Sequence, residues 1–372
     1  MNPRERVLAA LHRQPVDRIP YCEHLVDLNV AMRTVGAMKV VKIMLKTGKK
    51  IGFRNLITVL KTTKKVEELA AHPERIGLLM RFAGIAEPLI SKELHRDNIT
   101  YWGAAGCFEG GKTYLLNPDT PELGSSADGI LKSFDDLDKM VFRKDIDQIL
   151  SGAGEFVKHK GDLAACALIF LGLDPTWHSM GFETFCIACL QEPELVEEIL
   201  GRVTDWYANI AAELCKLDFD FIWAADDIAY NSAPFFSPKV YRTLLLPHTR
   251  KVAEKITKPW IYHSDGNLLP IWKDLTSQGM NAIHPLEAGS MDLKQLKADY
   301  GDAITFVGGL DLRILEAGTP EETKQFAEYL IDTLGPTGYI FGSSNSITPH
   351  VIPENYRAMI ETLLKKGGQQ QV

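Results

Sequence analysis

The chain has 372 residues, 45% of them hydrophobic and 24% charged, with a net charge of −7. This is the composition of a soluble globular protein, and an acidic balance without a block of like charges excludes a general attraction to nucleic-acid backbones. No apolar run approaches the ~18 residues of a membrane span, the opening Met1-Asn2-Pro3-Arg4-Glu5-Arg6 lacks the apolar core of a secretory leader, and six scattered cysteines suit reduced thiols, so the expected location is cytoplasmic.

Residues 3 to 14 read as an amphipathic helix with Val7, Leu8 and Leu11 on one side, ending before Pro15. Asp17-Arg18-Ile19-Pro20-Tyr21-Cys22 then reads as a first strand delivering Glu23 and His24 to its end. From about Val26 to Leu94 the pattern is helical, too long for one strand-to-helix connection. It is expected to be an inserted layer or lid, over about 30–100. Within it, Lys39 to Lys65 holds nine Lys or Arg residues, whose ordinary reading is a solvated helical face. Ile99 to Phe108, with Tyr101 and Trp102, is the second strand candidate, and Gly110-Gly111 and Gly124-Ser125-Ser126 mark turns around Thr113-Tyr114-Leu115-Leu116. Residues 134 to 160 are charged and helical, and the apolar run Leu163 to Leu173 ends in Asp174-Pro175-Thr176-Trp177-His178. Phe185-Cys186-Ile187-Ala188-Cys189-Leu190 reads as a buried helix rather than a redox or metal pair.

From Phe219 onward an apolar run five times ends in polar residues and is followed by an amphipathic stretch. The ends are Asp226-Asp227, His263-Ser264-Asp265, His284 with Glu287, Asp311, and Ser343-Ser344-Asn345. Helices are expected at 193–217, 238–257, 267–279, 290–300, 320–334 and 353–366, several opened by proline. Strands near 19, 101, 168, 222, 261, 283, 306 and 340 number about eight, the count of a closed (β/α)8 barrel. The expected fold is therefore α/β, one TIM barrel over 1–372 with an N-terminal helical elaboration. An open doubly wound sheet would want a glycine-rich phosphate loop after its first strand, and Gly308-Gly309 is too late and wrongly spaced.

Parallel barrels open their strands' carboxyl ends on one face, so these polar ends are expected to share a site. His263 and Asp265, two apart on an extended strand end, point to the same side and can share a metal. Two adjacent acids, Asp226 and Asp227, after Trp223-Ala224-Ala225 are costly unless paired, metal-bound or exposed; a carboxyl held among apolar walls becomes a candidate proton donor or base. Glu287 could complete a metal set or pair with a basic residue. Asp311 follows two glycines that allow close approach of a ligand, and Asn345 offers an orienting amide. Tyr21, Trp102, Trp177, His178, Trp223, Tyr230, Phe235 and Phe236 could wall a flat ligand or belong to the core.

The chain resembles the uroporphyrinogen decarboxylase superfamily. The resemblance rests on Pro3 to Leu11 with Pro15-Val16-Asp17-Arg18-Ile19-Pro20, on Asp226-Asp227, His263-Ser264-Asp265-Gly266-Asn267 and Val307-Gly308-Gly309-Leu310-Asp311. It continues through Gly318-Thr319-Pro320-Glu321-Glu322, Gly338-Tyr339-Ile340, Gly342-Ser343-Ser344-Asn345 and Pro353-Glu354-Asn355-Tyr356. It implies a (β/α) barrel and either tetrapyrrole decarboxylation or corrinoid-dependent methyl transfer. True decarboxylases of the superfamily carry Arg-Gln-Ala-Gly-Arg-Tyr after the first strand; here Glu23-His24-Leu25-Val26-Asp27 stands there, expected to repel an octa-acid substrate. Members that make methylated thiols hold zinc with His-x-Cys and a later cysteine. At the corresponding places this chain has His263, Asp265 and the Ser343 to Asn345 segment, so the metal would be harder and suited to an oxygen-bound methyl group.

The resemblance thus implies a methyltransferase that moves a methyl group from a small O-methylated donor to the cobalt of a partner corrinoid protein. The expected metal is zinc, held by His263 and Asp265 with Glu287 or Asp227, while Asp226 or Asp227 could instead protonate the leaving oxygen. Tyr21, Glu23, His24, Trp177, His178, Tyr230, Asp311 and Asn345 are the expected substrate contacts. No nucleic acid or membrane is expected as partner, and a homodimer is left open. The alternatives are a metal-free decarboxylase of a tetrapyrrole or smaller carboxylic acid, with Asp226 or Asp227 as proton donor, and a corrinoid-protein or tetrapyrrole binder without a reaction.

Overall fold

The computed structural model describes residues 1–62, 73–101, 129–140, 142 and 146–368. Trp102, Cys107, the turns expected around Thr113 to Leu116, and Lys64 and Lys65 lie outside the described residues.

Seven strands run parallel in chain order: β1 (Asn98–Tyr101), β2 (Ala164–Phe170), β3 (Phe221–Ala225), β4 (Trp260–His263), β5 (Ala282–His284), β6 (Thr305–Val307) and β7 (Tyr339–Ile340). Strands covered on both faces have continuous apolar runs, which is why β2 and β3 were legible as uninterrupted hydrophobic segments and β4 and β5 as apolar runs ending in a histidine. An eighth segment joins the last strand to the first. Tyr21 bridges Phe341 in parallel, with Cys22 N–H donating to Phe341 O at 3.0 Å, and Asp97 N–H donates to Tyr21 O at 2.8 Å. The segment is too short for a regular ladder because Pro20 has no N–H to give, and the Tyr21 N–H is taken by the Asp97 carboxylate at 2.8 Å. The arrangement is the TIM-barrel-like α/β fold expected from the sequence.

Alternation along the strands separates two apolar regions. Cys22, Cys166, Leu168, Trp223, Ile261, Ala282, Val307 and Ile340 point inward, while Ile169, Ile222, Tyr262, Ile283, Phe306 and Tyr339 join the layer under the helices. The helix Pro3–Leu11 closes the amino-end mouth. Val7, Ala10 and Leu11 belong to the inner cluster, and the Thr305 hydroxyl donates to Ala10 O at 2.8 Å. Its start is fixed by a capping box in which Asn2 and Glu5 satisfy each other's backbone amides.

Helices Leu28–Val35, Ala37–Ile51, Phe53–Thr62 and Pro73–Glu93 occupy the region read as an insertion. The last three share a small cluster, Ile51, Leu56 and Ile85, while Val30 and Ala31 of the first join the main core, and Met38, Val41 and Ile57 are left exposed. After the barrel begins, the helices Pro193–Lys216, Leu293–Tyr300, Pro320–Leu334 and Pro353–Lys366 fall where their prolines and apolar stripes predict. The helix expected at 238–257 is interrupted by a wide π-turn at Tyr241–Leu245, just before Pro247, whose missing N–H cannot serve an ordinary helical turn. Cys186 and Cys189 are free thiols in the helix Phe182–Gln191. Among the described residues no helix is long and apolar enough to cross a membrane.

Candidate active site at the carboxyl ends of the strands

The register pairs Ala225 with His263 and His263 with His284. Counting two residues on from the inward-facing Cys22, Ile261 and Ala282 places His24, His263 and His284 on the inner side, above Trp223. All three imidazoles are buried. His24 stacks on His263 and His263 on His284, each with ring centroids 4.9 Å apart, while Trp223 lies 5.2 Å from His24 and 4.9 Å from His284. Burial holds His263 below its usual pKa and His24 and His284 well below theirs, so the stack is neutral at physiological pH. His263 and His284 face each other through their Nδ1 atoms at 2.7 Å.

The outer edge of His263 meets acids. Its Nε2 lies 3.6 Å from Asp227 Oδ1 and 4.0 Å from Asp265 Oδ1, and one donor atom from each of the three residues lies within 4.8 Å of the others. These separations are long for hydrogen bonds, but donors ~2.1 Å from a tetrahedral zinc stand about 3.4 Å apart. The backbone holds the group in place. Asp265 N–H donates to Asp227 Oδ1 at 3.1 Å, Asn345 Nδ2 donates to Asp265 Oδ2 at 2.8 Å, and Ser264 Oγ accepts from Ile228 N–H. Gly266, at φ +90°, lets the strand end turn beneath the Ala229 and Tyr230 backbone, which a Cβ would strike at 2.6 to 2.7 Å. The Asp265 carboxyl is pushed up to about 7 by burial and by the charges of Asp227 and Glu287.

A cation fits this set. Asp265 Oδ1 is buried without a hydrogen-bond partner among the described residues, and no Lys or Arg among them pairs with Asp227, Asp265 or Glu287. One neutral imidazole nitrogen and two carboxylates would neutralise a divalent ion, with donors hard enough for zinc or a harder metal. Glu287 stands beside the group rather than in it: its Oε2 accepts from Gly266 N–H at 3.2 Å and from Ser290 Oγ at 3.1 Å.

The other residues singled out in the sequence fall into two groups. Trp177 packs edge-to-face with Phe182 and Phe235, Tyr230 packs on both, and the Trp177 indole donates to Asp227 O at 3.0 Å. Beside them, His178 Nε2 lies 2.9 Å from Asp174. This aromatic wall adjoins the acids.

Four residues are directed elsewhere. Asp226 is fully buried and accepts from Gly172, Leu173 and Asp174 N–H groups at 3.0 to 3.3 Å, holding the start of the helix Leu173–Met180. Tyr21 alternates outward and donates to the Tyr356 hydroxyl at 2.6 Å, under the C-terminal helix. Glu23 is also outward and fully buried; Ser343 N–H and Oγ donate to it at 3.1 and 2.6 Å. It fastens the Ser343 segment rather than repelling a ligand. Asp311 caps the helix Leu312–Ala317 and pairs with Arg313 at 2.6 Å, which holds its pKa low. His284 is the residue that sequence reasoning did not assign a role. Its signal was available: it lies two residues after Ala282, as His263 lies two after Ile261.

Residues 177–365, just over half of the chain, match the family model described as uroporphyrinogen decarboxylase (URO-D). The chain belongs to the URO-D family. The matched span carries Asp227, His263, Asp265, His284 and Asn345, while His24 of the stack lies before it. A uroporphyrinogen decarboxylase from Pelodictyon phaeoclathratiforme is 23% identical over 189 residues, 48% of this chain and 51% of that protein. This URO-D family chain spans about half the length of the curated relatives it matches. A methyltransferase from Methanosarcina mazei shares the fold over 98% of this chain and 99% of that one, with TM-score 0.68 and 18% identity. A B12-independent methionine synthase from Shewanella sp. W3-18-1 in complex with selenomethionine matches with TM-score 0.50 and 12% identity, over 77% of this chain and 89% of that one.

Proposed function

We propose that the protein is a metal-assisted methyltransferase that moves a methyl group from a small O-methylated donor to the cobalt of a partner corrinoid protein. The observation that carries this reading is the Asp227–His263–Asp265 group, two acids and a neutral imidazole at the strand ends with no basic side chain to match them among the described residues. A carboxylate-rich substrate would meet Asp227, Asp265 and Glu287 there, which weighs against a polyacid. An uncharged methoxy compound would not be repelled, and the wall of Trp177, Phe182, Tyr230 and Phe235 suits a flat donor. The full-length likeness to a methyltransferase fold favours the same reading.

When bound, the metal would supply Lewis acidity toward the donor oxygen. His263, Asp227 and Asp265 would hold it, with Asn345 keeping Asp265 in its rotamer. A transferred methyl group would leave its bonding pair on the donor oxygen, which would then take a proton, while the pair for the new bond would come from the partner's reduced corrinoid. The aromatic wall excludes water from one side of the donor and orients its ring, so the methyl can face the partner.

The test is metal analysis of the purified protein together with turnover of a methoxy-compound panel in the presence of a reduced corrinoid protein. Stoichiometric zinc and the absorbance of methylated corrinoid are expected; a metal-free protein inert toward the whole panel would overturn the proposal. A second reading, metal-free decarboxylation, is favoured by the Asp265 carboxyl near 7, which can carry a proton at neutral pH. Carbon dioxide release from a carboxylic acid by metal-stripped protein would establish it.

A further inference from the structure

Resting on the reading that His263 offers Nε2 to the site, we infer that His284 is a positioning residue that fixes the tautomer of His263, placing the proton on Nδ1 and leaving the Nε2 lone pair toward Asp227 and Asp265. The argument is a proton count around two rings. At 2.7 Å, the Nδ1 atoms of His263 and His284 share one proton, because two would clash and none would set lone pair against lone pair. The other nitrogen of His284 is committed as a donor, since the ring hydrogen-bonds to the backbone carbonyl of Ser343. Gly308, at φ +85°, makes room for this contact: a Cβ there would lie 2.4 Å from Ser343 O and 3.3 Å from His284 Nε2. A second proton on His284 would bury a cation against His24 and His263, with only 1% of the residue exposed. The proton between the rings therefore belongs to His263, and its Nε2 is bare.

The separations on the far side of His263 agree. An Nε2–H would be expected to close on a carboxylate, yet Asp227 and Asp265 stand off at 3.6 and 4.0 Å. The chain Ser343 carbonyl, His284, His263 thus runs from the segment after β7 through β5 to β4 and delivers a lone pair at the acids. A histidine side chain in water favours the Nε2–H tautomer, so the stack replaces that default by the form a ligand or base requires.

The test uses full-length 15N-labelled protein freed of metal by chelation, with long-range 1H–15N correlations of the histidine rings assigned through His263→Gln. Wild type should show His263 protonated on Nδ1. His284→Leu, which removes the acceptor, should switch His263 to the Nε2–H form, and His284→Asn, whose amide oxygen can sit near the lost Nδ1, should restore the first. Zinc affinity by competition should fall about 10- to 100-fold in His284→Leu and recover in His284→Asn. An Nε2–H signal in wild type, or an unchanged tautomer in His284→Leu, overturns the inference; should His284→Leu not fold, the wild-type spectrum alone decides. If the tautomer is as stated but no zinc binds, the metal proposal fails while this inference stands.

Discussion

The two mouths of the barrel treat buried charge in opposite ways. At the amino end Asp17, Asp97 and Asp220 each meet a cation: Arg6 bonds Asp97 at 2.6 Å and Asp17 at 2.7 Å, Arg18 bonds Asp97 at 2.8 Å, and Asp220 is held by Arg4, by Lys160 and by the Ala165 amide. At the carboxyl end Asp227 and Asp265 gather around the His263 imidazole, with Glu287 beside them, and none of these acids makes an ion pair with a Lys or Arg among the described residues. The first arrangement is complete in itself and keeps the helix Pro3–Leu11 in place. The second is complete only with a proton or a cation from outside, and a barrel can carry it because the paired end supplies stability elsewhere.

The largest effect that would probe this contrast is Arg6→Ala. It leaves the fully buried Asp97 with Arg18 alone and should cost about 3–5 kcal/mol of unfolding free energy in chemical denaturation, with zinc affinity of the folded protein unchanged. A tenfold change in affinity would show that the two faces are not separable.

Next is Glu23, buried like the amino-end acids but held by hydroxyl and amide donors. Burial pushes it up to about 7 from 4.5. Between those values the folded state binds more protons than the unfolded state, so stability falls as pH rises from 4.5 through 7. Glu23→Gln cannot ionise and should remove this slope, gaining up to roughly 3 kcal/mol relative to wild type on going from pH 4.5 to 8. Parallel stability curves for the two proteins would count against the assignment.

His263→Ala removes the only imidazole in the acid group and should weaken zinc binding and turnover by at least on the order of a hundredfold, with less effect on unfolding than Arg6→Ala. Unchanged activity would remove His263 from the mechanism. The smallest effect is expected from Asn345→Ala, which frees Asp265 to rotate: about tenfold in zinc affinity, read by the same competition titration.

Much of the barrel could be read in the chain because its physics is local. Segments such as Phe221 to Ala225 and Pro259 to Tyr262 are apolar without interruption, which only strands covered on both faces require. Their polar ends then had to lie on one face, because parallel strands all finish together. The first strand was harder: Tyr21 pairs through a single bridge and through the Asp97 side chain, a partner 76 residues away. The interrupted helix around Tyr241 likewise depends on how Pro247 is accommodated, not on periodicity alone.

The sequence by itself determined that His263, Asp265 and the acids after β3 would sit at strand ends, since apolar period and strand direction follow from side chains alone. Only the tertiary structure decided between neighbours: Asp227 faces His263 while Asp226 caps the helix at Leu173, His24 turns inward while Glu23 turns outward, and His284 stacks behind His263. Adjacent residues on an extended chain point to opposite sides, and which side faces the cavity is set by the register of strands paired across the barrel and by the helices packed outside them.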